Sequence, residues 1–310
     1  MTARQYNSDT SHPYAGAALV LAAALGFSAK AVLVKLVYAE VRDIDPVTIM
    51  AGRMLFGLPC FLVAAVWSAR RSRTRHKQPL SSRDWCTVAA LGITGYYLST
   101  LLDTMGLAYI SAGMERLILF VYPTLVVVFG ALFFGQRITT PVILALALTY
   151  GGVALAASNM EGGANSNLIL GGGLVFAAAV TFAVFTVASH RVMGRLGATR
   201  FTAYAMSISG MATATHYLFS GAPSIFWLSE RALLLCFVMA VGTTVIPVFM
   251  LAAGIRMLGP GPAAIISSVG PVATLGMAYA ILGEAVTPIQ GAGTALVLAG
   301  VLAVGKGKEG

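Results

Sequence analysis

Charge is what this sequence has least of. Only 10% of its 310 residues are Asp, Glu, Lys or Arg, while 58% are hydrophobic. A soluble domain carries roughly 25% charged residues, so a chain this poor in charge belongs in a bilayer rather than around a water-facing core. Cysteine is scarce as well. Cys60, Cys86 and Cys236 lie in or beside apolar runs with no metal-ligand spacing, which leaves them as small core residues. No His-Glu-x-x-His motif, metal-spaced cysteine pair or Gly-x-Ser-x-Gly elbow occurs. The sequence therefore points away from an enzyme and implies no cofactor and no metal.

What is present is apolar sequence in long runs. One crossing of the hydrocarbon layer takes about 20 apolar residues, and ten such helices with short loops use nearly the whole chain. The runs predict helices at about 14–38, 47–68, 85–108, 111–134, 139–158, 168–189, 200–220, 231–254, 261–282 and 288–304. Residues Met1 to Pro13 are polar, and the run that follows is too long for a signal-peptide core and carries Lys30 and Lys35. No cleavable leader is predicted, so the first helix stays.

The formal charge of +9 could suggest a nucleic-acid partner, but the cations are not spread along a soluble face. Six of the twenty Lys and Arg lie between Arg70 and Arg83, the pattern of a cytoplasmic loop beside a membrane. No nucleic acid is implied; contact with anionic lipid headgroups is. With the N-terminus inside, the inner segments hold fourteen cations and the outer loops only Arg42 and Arg231. Loops rich in Lys and Arg stay in the cytoplasm, so both termini are predicted to be cytoplasmic.

The chain also repeats itself. Shifted by 148 residues, Gly106–Thr139 matches Gly254–Thr287 at Gly113 with Gly261, Pro123 with Pro271, Gly135 with Gly283, and Thr139 with Thr287. Upstream, GAALVLAAALGF from Gly16 aligns with GGGLVFAAAVTF from Gly171 at a shift of 155. The reading is an all-α integral membrane protein of ten transmembrane helices in two five-helix units, 14–158 and 168–304, with cytoplasmic tails at 1–13 and 305–310. Five is odd, so the second unit enters from the opposite side, an inverted-topology repeat.

These residues resemble a known family. Asp45-Pro46 leading to Arg53, the segment Ala108 to Gly113, Pro123 and the exit GQRIT, then GPGPAA at 259–264, Pro271 and LGEAVTP at 282–288, are similar to the EamA-type branch of the drug/metabolite transporter superfamily. Within it, the resemblance is to YddG-like amino-acid exporters. The family's exit typically reads Gly-Glu-Arg; here Gln136 replaces the acid in the first copy and Glu284 keeps it in the second. The resemblance implies export of amino acids or related small metabolites by alternating access across a bacterial inner membrane. Efflux of drugs or other metabolites is the alternative, and an integral-membrane enzyme or a channel is less supported.

A charge at a bilayer centre costs at least about 2.5–3.5 kcal/mol, so it persists where it pairs or lines a wet cavity. Lys30, Arg53, Asp103, Glu115 and Arg116 fall at similar depth in the outer half of the first unit. A network joining Lys30 to Asp103 or Glu115 is expected, either as an outer gate or cavity wall, or as structural pairs tying helices one to four. Arg53 and Arg116 could instead extend to the interface, and Lys35 should snorkel. Tyr96, Ser99, Thr100 and Asp103 share one helix face; Glu115 and Tyr122, Phe182 and Phe185, Thr243, and Ser267 complete the candidate lining. Each also has a bland reading as interhelical packing. Pro123, Pro247 and Pro271 break the backbone ladder inside predicted helices and are candidate hinges, or static kinks. The sequence leaves proton coupling open, with Asp103, Glu115, Glu284 and His216 as candidate carriers. His216 and Glu284 read more readily as packing and capping groups.

Overall fold

The computed structural model describes residues 13–74, 80–134, 140–158, 166–258, 263 and 266–306. Among them the chain is helical, with no strand. Helix α1 is Pro13–Glu40 and α2 is Pro46–Thr74. Helix α3 runs from Ser82–Leu91 through a π-helical stretch, Gly92–Leu98, into Ser99–Leu107. Helix α4 comprises Ala112–Leu119 and Tyr122–Phe134, followed by α5 at Thr140–Ser158, α6 at Ser166–Leu196 and α7 at Ala198–Phe219. Helix α8 is built like α3: Glu230–Ala240, a π-helical Val241–Val245, then Ile246–Leu258. Helix α9 joins Gly270–Met277 to a π-helical Ala278–Leu282, and α10 is Pro288–Lys306.

Among the described residues, six stretches are long and apolar enough to cross a membrane: Tyr14–Glu40, Pro46–Arg70, Ser82–Leu107, Ala112–Phe133, Leu168–Ser189 and Glu230–Ile255. Ala147–Ala156, Gly270–Leu282 and Pro288–Ala299 are shorter apolar helices. Helix α7 belongs to neither group, although its sequence was expected to span. Ser207, Ser209 and Thr213 dilute its hydropathy, yet all three are buried. The Ser207 and Thr213 hydroxyls donate to the carbonyls of Ala203 and Ser209, at 2.8 and 2.9 Å. Packing against α2 and α3 turns its polar face inward, where internal bonds satisfy it.

Two helices outrun their expected ends. Helix α2 continues into the basic segment as far as Thr74, because Arg is a good helix former and no proline intervenes. Helix α6 stops at Leu196, where Gly197 takes φ 84°, a left-handed value that favours glycine. Helices four and nine, expected to be continuous, are interrupted at Phe120–Val121 and at Ser268–Val269. These breaks are 148 residues apart and each precedes a proline. Pro123 and Pro271 therefore sit in the first turn of a new helix, where a missing N–H costs nothing. Pro247 is likewise in the first turn after the π-helical stretch of α8. The exit Gly135–Thr139, the turn 259–262, residues 1–12, 75–79 and the tail from 307 lie outside the described residues.

Glycines set the crossings. A Cβ on Gly106 would stand 2.9 Å from the Gly171 carbonyl oxygen and 3.3 Å from the Val175 nitrogen. One on Gly254 would stand 3.1 Å from the Gly16 oxygen and 3.3 Å from the Val20 nitrogen. So α3 crosses α6 as α8 crosses α1, backbone against backbone, at residues offset by the sequence's own shifts of 148 and 155. Helices α5 and α10 meet through Gly152 and Gly293, where a Cβ on either would lie 2.5 Å from the other's carbonyl. Small residues at such contacts let dispersion and weak polar contacts hold helices where lipid supplies no hydrophobic drive. Gly254→Ala is expected to destabilise the protein by about 1–3 kcal/mol in thermal unfolding in detergent. Gly151→Ala, whose Cβ would meet nothing within 4 Å, should instead stabilise it by about 0.5–1 kcal/mol.

Candidate functional site

The helices enclose a cavity of about 1000 Å³. One end holds the intramembrane charges. Lys30 on α1 forms an ion pair with Asp103 on α3. Tyr38, two turns beyond Lys30 on α1, donates to the Thr104 carbonyl at 2.9 Å and so ties α1 to α3 a second time. Asp103 is 1% exposed and Glu115, on α4, is wholly buried. The Glu115 carboxyl lies against that of Asp103, and neither of its oxygens receives a hydrogen bond from an N–H or hydroxyl among the described residues.

Arg53 on α2 and Arg116 on α4 both line the cavity. Reaching the interface by extending their side chains, the alternative the sequence left open, is not what they do. Arg53 is 6% exposed, and Arg116 lies over Gly270, where a Cβ would stand 3.1 Å from its Nη2. Lys35 is half-buried, within the electrostatic reach of Glu284. Ser111 caps the first half of α4 by accepting from the Met114 N–H at 3.2 Å. Glu284, from the exit of α9, accepts from the Ala112 and Gly113 N–H groups at 3.0 and 3.4 Å. This carboxylate at a helix N-terminus meets free donors and the positive end of the helix dipole, the capping role expected of it.

Beyond the charges, away from the cavity, α1, α2, α3, α4, α8 and α9 pack a dry plug. Its buried members include Val34, Val37, Ile49, Leu107, Met239 and Ala278. The opposite end of the cavity is bounded by Trp67 and Ser68 on α2 and by Leu196, Gly197 and Thr199 at the α6–α7 turn. Arg195 bonds Asp84 at 2.5 Å near that turn, and Arg231 pairs with Glu40 at 3.5 Å at the other end of the bundle.

Between the two ends the wall is aromatic. Tyr96 packs on Phe185 at 4.8 Å between ring centroids, Phe185 on Phe182 at 5.6 Å, and Phe182 edge-on to Tyr122 at 5.2 Å. Of the candidates from sequence, Lys30, Tyr96, Ser99, Asp103, Tyr122, Phe182, Thr243 and Ser267 line the cavity. Glu115 and Phe185 do not: the first backs Asp103, and the second, 4% exposed, supports the rings that do. Ser99 and Thr243 spend their hydroxyl protons on the Ala178 and Met239 carbonyls, at 3.1 and 2.7 Å, so towards the cavity they can only accept. Leu119, Thr243 and Ser267, each four residues before a candidate hinge proline, all border the space. Their carbonyls are the ones those prolines cannot bond. His216 accepts or donates to Tyr97 at 2.6 Å, away from the cavity lining.

Sequence reasoning missed Phe27, Trp67, Arg200 and Ser209 as lining residues. The polar face of α7 was the available signal for Ser209. Nothing local marks Phe27 or Trp67, which look like any aromatic in an apolar run.

A family model of the EamA-like transporter family matches residues 14–158 and, a second time, 169–305. The chain is 28% identical over 288 residues to the uncharacterized transporter YcbK of Bacillus subtilis, covering 89% of this chain and 88% of that protein. It is 28% identical over 168 residues to the uncharacterized transporter YvbV of the same organism, covering 54% and 52%. A solved crystal structure superposes with a TM-score of 0.63 at 18% identity, over 93% of this chain and 96% of the other, a likeness of fold alone. With the apolar helices above, these relatives mark a multi-pass membrane protein.

Removing one partner of a buried ion pair strands the other's charge, at a cost of about 3–5 kcal/mol, whereas replacing both by apolar residues is often neutral. Asp103→Asn is therefore expected to lower thermal stability in detergent by that amount. The double variant Lys30→Met/Asp103→Leu should recover most of it. Equal losses in the single and the double variant would show that the cost comes from losing the native Asp103 contacts and not from stranding the Lys30 charge.

Proposed function

We propose, from the premise that this chain belongs to the EamA-like transporter family, that it is a secondary carrier exporting small metabolites, amino acids foremost, by alternating access. The observation that carries this reading is the cavity of about 1000 Å³. It is deep enough for a metabolite, walled by rings and charges, and backed at one end by a dry plug. A pore would run through, whereas a carrier needs one closed side at a time.

The proposed architecture is two inverted five-helix repeats with both termini in the cytoplasm of a bacterial cell and the helices in its inner membrane. The equivalent crossings of α3 on α6 and α8 on α1 support the repeat, as does the double match of the family model. The distribution of Lys and Arg supports the orientation. In that orientation the cavity mouth at the α6–α7 turn faces the cytoplasm and the plug faces outward, a state ready to load. Pro123, Pro247 and Pro271 follow backbone discontinuities that border the cavity, which suits them to act as hinges. The carboxyl pair of Asp103 and Glu115 is the place where a coupling proton would be carried. The aromatic wall favours substrates with an apolar side chain, and on that ground the nearest competing reading is efflux of apolar drugs.

Reconstituted in liposomes, the protein should give saturable counterflow of labelled amino acids. The double variant Lys30→Met/Asp103→Leu should fold yet lose flux by at least about tenfold, equivalent to 1.4 kcal/mol. Flux that rises linearly without saturation would sink the carrier reading; flux unchanged in the double variant would make the ion pair structural. Repeating the assay with an imposed pH gradient decides coupling. For orientation, Ser220→Cys in a background lacking the native cysteines should be labelled by an impermeant maleimide from outside intact cells.

A further inference from the structure

The cavity's charges do not balance, and the imbalance has a location. Of the four cations that line the space, Arg200 lies at the α6–α7 end, and Lys30, Arg53 and Arg116 gather where the carboxyls within reach among the described residues are those of Asp103 and Glu115. Three cations face two carboxyls, so at least one positive charge is unmatched. Lys30 is the cation that is paired, to Asp103. The Nε atoms of Arg53 and of Arg116 are buried without a hydrogen-bond partner, and neither guanidinium forms an ion pair among the described residues. A buried guanidinium nitrogen left without an acceptor is costly. Two of them, one from α2 and one from α4, border the same cavity and are stabilised once an anion enters.

Among the described residues Asp103 is the one carboxylate on the cavity wall; Lys30 holds its Oδ2, and its Oδ1 is buried away from the cavity's open space. Among the described residues no accessible carboxylate oxygen is left on the wall to receive a substrate's ammonium group. The hydroxyls of Ser99 and Thr243 have given their protons to backbone carbonyls, so they cannot hold an anion in the arginines' place. The planar, multi-donor guanidinium suits a carboxylate in particular, through paired N–H···O bonds. Next to Arg116 the wall turns apolar, with Leu119, Phe120 and Tyr122.

We propose that the cavity takes its substrate as an organic monoanion, the carboxylate held by Arg53 and Arg116 and the apolar portion laid against Tyr96, Tyr122 and Phe182. The inference rests on reading the cavity as the carrier's substrate site, and it narrows that reading. The carboxylate is required, and an α-ammonium group is dispensable.

The test uses the full-length protein purified in detergent and three probes that share a phenyl ring: 3-phenylpropanoate, L-phenylalanine and 2-phenylethylamine. Both acids at millimolar concentration should raise the melting temperature and compete with each other, and the amine should do neither. Arg116→Gln and Arg53→Gln should each weaken binding of 3-phenylpropanoate by about tenfold or more, the loss expected for a charged hydrogen bond. Arg116→Lys, which keeps the charge, should retain part of it and guards against a folding defect. Binding of the amine as tight as that of the acid overturns the proposal. So does a failure of both acids to bind the wild type, or equal binding of the acids to the wild type and a folded Arg53→Gln/Arg116→Gln variant. Liposome flux separates the two levels: acid binding without counterflow removes the carrier reading and leaves the anion site. Counterflow of amines irrespective of a carboxylate removes the anion site and leaves the carrier.

Discussion

A charge that cannot reach water must find a partner or a wet wall, and in this protein that constraint shapes the middle of the bundle. Lys30, Arg53, Asp103, Glu115 and Arg116 come from four different helices, α1 to α4. In hydrocarbon each alone would be costly. Drawing them together lets Lys30 and Asp103 neutralise each other and places the two arginines on the cavity. The position of α1 against α3, the burial of Glu115 behind Asp103 and the site of the cavity follow from that gathering. The dry plug beyond it follows too, since residues such as Val34, Val37 and Leu107 can close only where no charge has to be solvated.

The scaffold around this cluster repeats its contacts along the chain, while its chemistry does not. Gly106 on Gly171 and Gly254 on Gly16 make the same backbone approach. The π-helical stretches of α3 and α8, and the breaks before Pro123 and Pro271, fall at equivalent positions. Ser81 and Ser229, 148 residues apart, both cap a helix, and beside each an ion pair joins it to another helix: Asp84 with Arg195, and Arg231 with Glu40. These are requirements of helix packing and capping, so both copies meet them. Binding does not need to be symmetric, and Glu115 and Arg116 correspond to Ala263 and Ala264 in the second copy. Glu284 shows how the halves interlock: an acid from the second copy caps the α4 helix of the first.

Most helix boundaries were legible from hydropathy and punctuation. The errors have particular causes. Breaks in α4 and α9 were missed because a proline marks the start of a new helix as readily as a kink, and only the backbone distinguishes the two. Helix α7 stands where the sequence places it, and its low hydropathy comes from buried serines and threonines that answer to neighbours distant in sequence. Eight of ten candidate lining residues do border the cavity, because polar groups in a bilayer have few other places to be. Glu115 and Phe185 lie one layer behind the lining, because periodicity assigns a helix face but not which neighbour lies in front of it.

The amino-acid sequence by itself determined that this is a helical membrane protein with a repeated unit, and that its intramembrane charges belong to the first half. Hydropathy, spacing and the cost of bare charge in lipid act locally, and a linear chain records them. Which cation takes which acid was decided by the tertiary structure alone. Lys30 and Asp103 are 73 residues apart, and Arg53 and Arg116 meet the cavity only after α2 and α4 have packed. Whether a guanidinium is paired or left open depends on the distances among four helices, a property that no stretch of sequence contains.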